Sequence, residues 1–204
     1  ASRELIVRNG VDSCYLRPMV VRGYGSAGMV PTGAPVEVYL PCWPWGTYLG
    51  AGALENGVDA CISSWHRVEP NTIPSMAKIA GNYLSGQLIK MEAMANGYAE
   101  GIALSPSGMV SEGSGQNVFL VSGGTIVTTP LDGTILGGIT RDTIMTLARE
   151  AGIPPYVIFH DSVLLWSPFQ KVPSHGLHNV VAHVFGIARI HNHLRSGVLL
   201  RHLH

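Results

Sequence analysis

Charge is scarce in this chain: only 13% of its 204 residues are Asp, Glu, Lys or Arg, and thirteen acids balance thirteen bases. A protein with no net field has nothing to draw it to a polyanion, so nucleic acid and an anionic membrane surface are excluded as general partners. A small, locally recognised ligand is expected instead. Long apolar runs are lacking as well. No stretch approaches the ~20 residues of a membrane span, and the opening residues are too charged for a signal peptide. The chain is therefore expected to be soluble, with the cytoplasm as default compartment. Cysteine is sparse: Cys14, Cys42 and Cys61 are odd in number, widely spaced and without a CxxC pair. That excludes a disulfide framework or zinc knuckle and fits a reducing compartment. What is present is apolar material, 46% of residues, enough for the core of one domain or a little more and too much for a disordered chain.

The sequence opens at Ala1 with SRELIVRNG, the pattern of a last helical turn closed by Asn9-Gly10. A helix entered in its middle leads us to expect an internal fragment. Residues 13–22 and 35–42 are β-rich runs bounded by Gly and Pro, and two strands are expected there, joined by the loop GYGSAG. Residues 43–48 (WPWGTY) read as a domain linker, followed by a short helix ending at Asn56-Gly57 and a strand near 59–68. From Ile79 to about Ala95, Ala80, Leu84, Leu88 and Met91 recur at helical spacing with Lys90 and Glu92 on the other side, which predicts a helix opening just after Lys78. Residues 101–128 read as a meander of short strands, and a further helix is expected from a capping Thr140 to Ala151, stopped by Gly152. This order of elements indicates an α+β layer structure.

Composition changes after Pro154. Residues 1–154 hold nine basic and twelve acidic residues, whereas 155–204 hold four basic residues, the single acid Asp161 and eight of the nine histidines. Pairs such as His175/His178, His191/His193 and His202/His204 match no known ligand spacing and have no Cys or carboxylate companions, so no metal site is expected. Near-absence of acids with excess His and Leu is what accidental translation gives. The expectation is an atypical tail, read out of frame or spliced from elsewhere; a divergent terminus is the alternative.

Three positions carry chemistry. Lys78 sits in NTIPSMAKIAGNYL, a segment otherwise almost free of charge. A lysine there tends toward the lowered pKa that imine formation with an aldehyde needs, while the bland alternative is a surface lysine at a helix start. Glu112 lies in the small-residue loop SEGSGQN, which either solvates a turn or lets a planar ring approach the backbone. Thr140 follows Gly137-Gly138-Ile139 at a helix N-terminus, either an ordinary cap or a phosphate seat. An imine-forming lysine, a carboxylate for a ring nitrogen and a phosphate seat together describe pyridoxal 5'-phosphate.

From Tyr15 to about Ile153 the sequence closely resembles the class IV pyridoxal-phosphate aminotransferases. The resemblance rests on Glu112-Gly-Ser-Gly-Gln-Asn117-Val-Phe119, Val127-Thr-Thr129 and Leu136-Gly-Gly-Ile139-Thr140-Arg141. YLRP, PWGTYLG and PNTIPSMAKIAGNYLSG narrow it to the branched-chain amino acid aminotransferases. Gly137 departs from the family, many members carrying proline there. The resemblance implies a class IV aminotransferase-like fold: residues 1–42 as the end of a small N-terminal domain, 43–48 as the linker, 49–154 as part of the large cofactor-binding domain and 155–204 as the atypical tail. It implies that Lys78 is the Schiff-base lysine and proton shuttle, Glu112 the partner of the pyridine nitrogen, Tyr83 a donor to the cofactor's phenolic oxygen, and Ile139 and Thr140 the phosphate holders. Tyr15 and Arg17, two apart on one strand, face the same side. By resemblance the tyrosine positions the substrate carboxylate, the arginine meets the side-chain carboxylate of glutamate, and Trp45 and Tyr48 line an apolar pocket.

The expected activity is transfer of an amino group between leucine, isoleucine or valine and 2-oxoglutarate, with amino acid and 2-oxo acid substrates and, for full-length relatives, a homodimer. Members of the family also carry a basic phosphate residue before the point where this chain begins and a Gly-Thr-Ala turn that 155–204 lacks. Two alternatives stay open: a D-amino-acid aminotransferase or aminodeoxychorismate lyase of the same fold, against which Tyr15-Leu16-Arg17 and Trp45 weigh, and a noncatalytic truncated fragment.

Overall fold

Gly10, at φ 61°, adopts the left-handed conformation that closes the first helix, α1 (Ser2–Asn9), its N–H donating to the carbonyl of Val7. The computed structural model describes residues 1–157, apart from 26, 47, 51, 123, 124 and 154, together with the backbone of 180–182 and 187–190. Among these residues the chain divides into two compact units, Ala1–Tyr48 and the part from Leu49 onward.

The first unit contains two antiparallel ribbons where the sequence predicts two strands. Strand β1 (Tyr15–Leu16) pairs with β4 (Cys42–Trp43), and β2 (Met19–Arg22) pairs with β3 (Val36–Tyr39). Pro18 and Pro41, which have no N–H to donate to a ladder, divide each expected strand in two. The Arg17 N–H, donating to the Pro41 carbonyl at 3.0 Å, bridges the break. Trp43 belongs to β4 rather than to an irregular linker.

The second unit is built on an eight-stranded mixed sheet. Helix α2 (Ala53–Asn56) leads into β5 (Val58–Ile62), and β5 runs parallel to β6 (Glu100–Leu104) with α3 (Asn82–Ala95) as the crossover. Strand β7 (Val110–Gly113) pairs with β6, while β8 (Val118–Ser122) pairs with β9 (Thr125–Thr128), each antiparallel. The expected meander is thus two separate hairpins. Between β8 and β5 lie β11 (Val180–Ala182) and β12 (Ile187–Ile190), and β10 (Pro155–Val157) adds in parallel to β9, giving the order β10-β9-β8-β11-β12-β5-β6-β7. The rest of 158–204, with all its histidines and the expectation of a frame error, lies outside the described residues. Ala60, Ile102 and Val118 form the buried centre of the sheet, with Val58, Ile62 and Leu120 packed against them.

Helix α3 differs from its sequence reading in start and in face. It begins at Asn82, and Ile79–Gly81 form a tighter turn in which the N–H groups of Asn82, Tyr83 and Leu84 reach three residues back. The buried stripe is Asn82, Gly86, Ile89 and Ala93, whereas Leu84 and Met91 are 61% and 66% exposed. Close packing explains the choice. A Cβ on Gly101 of β6 would lie 2.7 Å from Ile89 Cγ2, and one on Gly86 would lie 2.2 Å from the Ser114 carbonyl oxygen. The sheet therefore takes the face that is small, and the larger apolar face remains exposed. Lys90 and Glu92 are used structurally: Lys90 pairs with the fully buried Glu100 at 3.2 Å, and Glu92 accepts from the Ser63 hydroxyl and, at 2.9 Å, from the Ser64 N–H. No helix among the described residues is long and apolar enough to cross a membrane.

Helix α4 (Ile139–Glu150) starts one residue before the expected cap. Gly138, at φ 66°, is the N-cap, and Thr140 lies inside the first turn without a side-chain capping bond. An L side chain is strained at that φ, and a Cβ on Gly138 would stand 2.1 Å from Asn117 Oδ1, so glycine occupies the entry to this helix for two reasons.

Candidate active site

The residues that enter α3, the end of β7 and the entry to α4 surround one cleft of about 470 Å³. Lys78 comes from the loop before α3, Tyr83 from its first turn, Glu112 from β7, and Ile139 and Thr140 from the start of α4. All five cofactor-site candidates of this unit therefore share one concavity. Lys78 is exposed to it, Thr140 is half-buried, and Ile139 is 90% exposed.

Glu112 is the electrostatic centre. Its Oε1 lies 2.7 Å from Arg67 Nη2, both side chains being buried. Its Oε2 accepts from the Leu136 N–H at 3.3 Å and from Asn117 Nδ2 at 3.4 Å. Burial pushes the carboxyl up to about 7, outweighing Arg67, the Leu136 N–H and the charge of Lys78, which act in the opposite direction; Asp132 adds to the rise. At neutral pH this group can both hold and release a proton.

Two clasps shape the walls. Asn117 Nδ2 also donates to the Leu136 carbonyl at 2.8 Å, which holds the segment leading to α4 against the residues after β7. Glu100 Oε1 accepts from the Gly101 N–H at 2.8 Å and the Ser114 N–H at 3.2 Å, and so fixes the turn beyond Glu112. Gly115 and Gly137 line the cleft without side chains, and nothing stands within 4 Å of a Cβ built on Gly137. The first amides of α4 have no acceptor within their helix. Amide donors, an amine and a buried carboxyl are thus distributed around one elongated space.

The substrate-site candidates fall in the other unit. Tyr15 stacks at a tilt on Trp43 and Trp45, with centroids 5.1 and 5.2 Å away, and the two tryptophans meet edge-on at 5.8 Å. Arg17 Nη2 is 3.3 Å from the Tyr15 hydroxyl, and its guanidinium lies 5.3 Å from the Tyr15 ring centre. Tyr15, Arg17, Trp43 and Trp45 therefore form one cluster around the β1–β4 ladder; Arg17 lies just past the end of β1 rather than on one strand with Tyr15, because Pro18 ends the ladder there. Tyr48 is half-exposed at the end of this unit. Among the described residues no group of three or more His, Cys, Asp or Glu could hold a metal ion.

Sequence reasoning did not single out Arg67, Asn82, Ser114, Gln116 or Asn117 as site residues, although each lines the cleft. Arg67 carried one usable signal, a lone charge in the otherwise uncharged CISSWHRV. A buried cation requires a distant carboxylate.

Comparison with known proteins places this geometry in context. Residues 1–157 match the family model of amino-transferase class IV. The chain is 49% identical over 154 residues to the branched-chain-amino-acid aminotransferase of Escherichia coli strain K12, covering 75% of this chain and 50% of that protein. The crystal structure of the Escherichia coli branched-chain amino acid aminotransferase superposes with a TM-score of 0.79 and 40% identity over 92% of this chain and 60% of that one. The branched-chain aminotransferase of the thermophilic archaeon Thermoproteus uzoniensis, solved with norvaline, has a TM-score of 0.73 and 32% identity over 92% of this chain and 60% of that one. Another solved branched-chain amino acid aminotransferase, which holds pyridoxamine 5'-phosphate, has a TM-score of 0.70 and 39% identity over 78% of this chain and 53% of that one. The chain spans about half the length of the curated relative it matches. With the family match spanning residues 1–157, and so every residue that lines the cleft, the chain belongs to the class IV amino-transferase family.

Proposed function

We propose that this chain carries the cofactor-binding core of a pyridoxal-phosphate-dependent branched-chain amino acid aminotransferase. The observation that carries the reading is the convergence of Lys78, Glu112 and the entry to α4 on one cleft. The residues present fit the group. Pyridoxal phosphate needs an amine for its aldehyde, a carboxyl for its ring nitrogen and amide donors for its phosphate; Lys78, Glu112 and the first turn of α4 supply these. Two buried polar atoms on residues of the cleft, Asn82 Oδ1 and Gln116 Nε2, are also left without hydrogen-bond partners among the described residues, which is consistent with a polar site.

What the group supplies when bound is an aldehyde able to exchange an amino group and a ring that accepts electrons. The chain's own residues do the rest. Lys78 offers the nucleophilic amine and, once released, a base at Nζ able to take a proton from a substrate α-carbon and return it elsewhere. Glu112, raised to about 7 by burial and ion-paired with Arg67, would share a proton with the ring nitrogen. Tyr83 offers a hydroxyl on the cleft. Ile139 and Thr140 contribute amides, and Thr140 a hydroxyl, to an anion at the helix start. In this reading Tyr15 and Arg17 receive substrate carboxylates, and Trp45 and Tyr48 wall an aliphatic side chain. The substrates are branched-chain amino acids and 2-oxo acids, a reading supported by the names of the relatives and by the pyridoxamine 5'-phosphate held in one solved structure.

Amino-donor profiling tests the reading. The chain loaded with pyridoxal phosphate should convert L-leucine to its 2-oxo acid with formation of pyridoxamine phosphate, and D-alanine should give none. Preference for D-alanine, or no amino transfer from any donor by a chain that binds the cofactor, would contradict it.

A further inference from the structure

Asn82 opens α3 four residues after Lys78 and is buried. Its Nδ2 lies 3.0 Å from the Pro74 carbonyl oxygen, 3.4 Å from that of Ser75 and 2.8 Å from that of Ala77. Three acceptors around one atom fix which end of the amide is nitrogen. The same loop is tied from outside by the Ser75 hydroxyl, which donates to the Gly133 carbonyl, and from within by the Ala77 N–H, which reaches the Pro74 carbonyl at 3.0 Å. One side chain thus gathers three carbonyls of the loop that delivers Lys78.

The other end of the amide is unmet. Asn82 Oδ1 is buried without a hydrogen-bond partner among the described residues, and Asn82 lines the same cleft as Lys78. A buried acceptor left unpaired costs free energy that a donor in the cleft would recover. We propose that Asn82 is the positioning residue for Lys78: Nδ2 fixes the backbone that presents the lysine, and Oδ1, which has no donor among the described residues, is the acceptor its amine takes when the site is occupied. The proposal rests on Lys78 being the amine that meets the cofactor's aldehyde. It explains why a polar side chain occupies a buried position on a helix face otherwise made of Gly86, Ile89 and Ala93.

The test uses the whole chain with Asn82→Ala and, as a milder change at a helix start, Asn82→Ser. Two readouts are taken together. Hydrogen exchange of the amides in 75–81 should quicken about tenfold or more in Asn82→Ala, while β6 exchanges as in the wild type. With pyridoxal phosphate and borohydride, the ratio of adduct on Lys78 to adduct on Lys90 should fall about tenfold or more, because a reacting amine displaced by an ångström loses rate steeply. Asn82→Ser should fall between wild type and Asn82→Ala in both readouts. A purely structural role for Asn82 would change exchange and leave the adduct ratio unmoved, and that result overturns the proposal. Unchanged exchange in either folded variant overturns it as well. If the wild-type chain forms no Lys78 adduct, the cofactor reading fails and this proposal with it; a normal wild-type adduct with an unaltered ratio in the variants removes this proposal alone.

Discussion

Arg67 Nη2 lies 2.7 Å from Glu112 Oε1, and yet the carboxyl is pushed up to about 7, because burial outweighs the cation beside it. The pair is held from both sides. The Arg67 N–H donates to the Leu104 carbonyl at 2.9 Å, and Arg67 Nε reaches the Thr134 carbonyl at 3.5 Å. The arginine is therefore fixed to β6 and to the turn before α4, and Glu112 meets it from β7.

The first prediction concerns pH. Raised from 4.5 to about 7, the folded carboxyl binds its proton more tightly than the unfolded one. Its contribution to stability is therefore present in full below about pH 4.5 and is lost as pH rises through about 7. Urea unfolding of wild type and Glu112→Gln from about pH 4 to about pH 8 should show the wild type losing on the order of 3 kcal/mol relative to the variant. A constant difference between the two across that range would show that Glu112 titrates as an ordinary surface carboxyl.

Gly86 provides the second. In an exposed helix Gly→Ala stabilises by about 1 kcal/mol. Here the new Cβ would stand 2.2 Å from the Ser114 carbonyl oxygen, a backbone atom that Glu100 holds in place through the Ser114 N–H. Gly86→Ala should therefore destabilise, by about 1–3 kcal/mol. A melting temperature at or above the wild type would contradict the packing of α3 against this turn.

The third contrasts two adjacent glycines at the cleft. Gly137 has open space around a built Cβ and no positive φ, whereas Gly138 combines φ 66° with a 2.1 Å approach to Asn117 Oδ1. Gly137→Ala should stabilise the chain by about 0.4–1 kcal/mol. Gly138→Ala should destabilise it by more than that and weaken pyridoxal phosphate binding, which fluorescence titration reads. Equal effects at the two positions would contradict the role given to Gly138 as helix entry.

Much of this was legible in the sequence where local rules operate. Asn9-Gly10 and Asn56-Gly57 marked helix ends, because the chemistry of those positions is carried by neighbours in sequence. The face of α3 was not legible. Its apolar period through Leu84, Leu88 and Met91 is genuine, but Gly101 makes room for Ile89, and the Ser114 carbonyl leaves room only for a glycine at 86; both requirements come from distant strands. The split meander has the same origin, since β7 and β8 find partners in β6 and β9 rather than in each other. The site divided likewise. Lys78, Glu112 and Thr140 stood out through motif and setting, while Arg67 and Asn82 act through contacts that only the folded chain creates.

The fourth prediction concerns substrate choice. An apolar pocket suits leucine, but a buried glutamate carboxylate costs several kcal/mol unless a donor meets it. Arg17, held beside Tyr15 at the end of β1, is the proposed donor. In a chain shown to transaminate, Arg17→Ala should slow the glutamate half-reaction more than the leucine one by about 2–3 kcal/mol in single-turnover kinetics. Equal losses would move Arg17 to the carboxylate common to both substrates or to support of the strand.

The central claim, that Lys78 is the amine at the heart of this cleft, is tested most directly by reducing the chain with borohydride in the presence of pyridoxal phosphate and mapping the modified peptide. The sequence offers three lysines, Lys78, Lys90 and Lys171. Lys90 is paired with Glu100 beneath α3, and Lys171 lies outside the described residues. The account predicts the adduct on Lys78, with Lys78→Ala abolishing it. An adduct on Lys90 or Lys171 with Lys78 unmodified would contradict it.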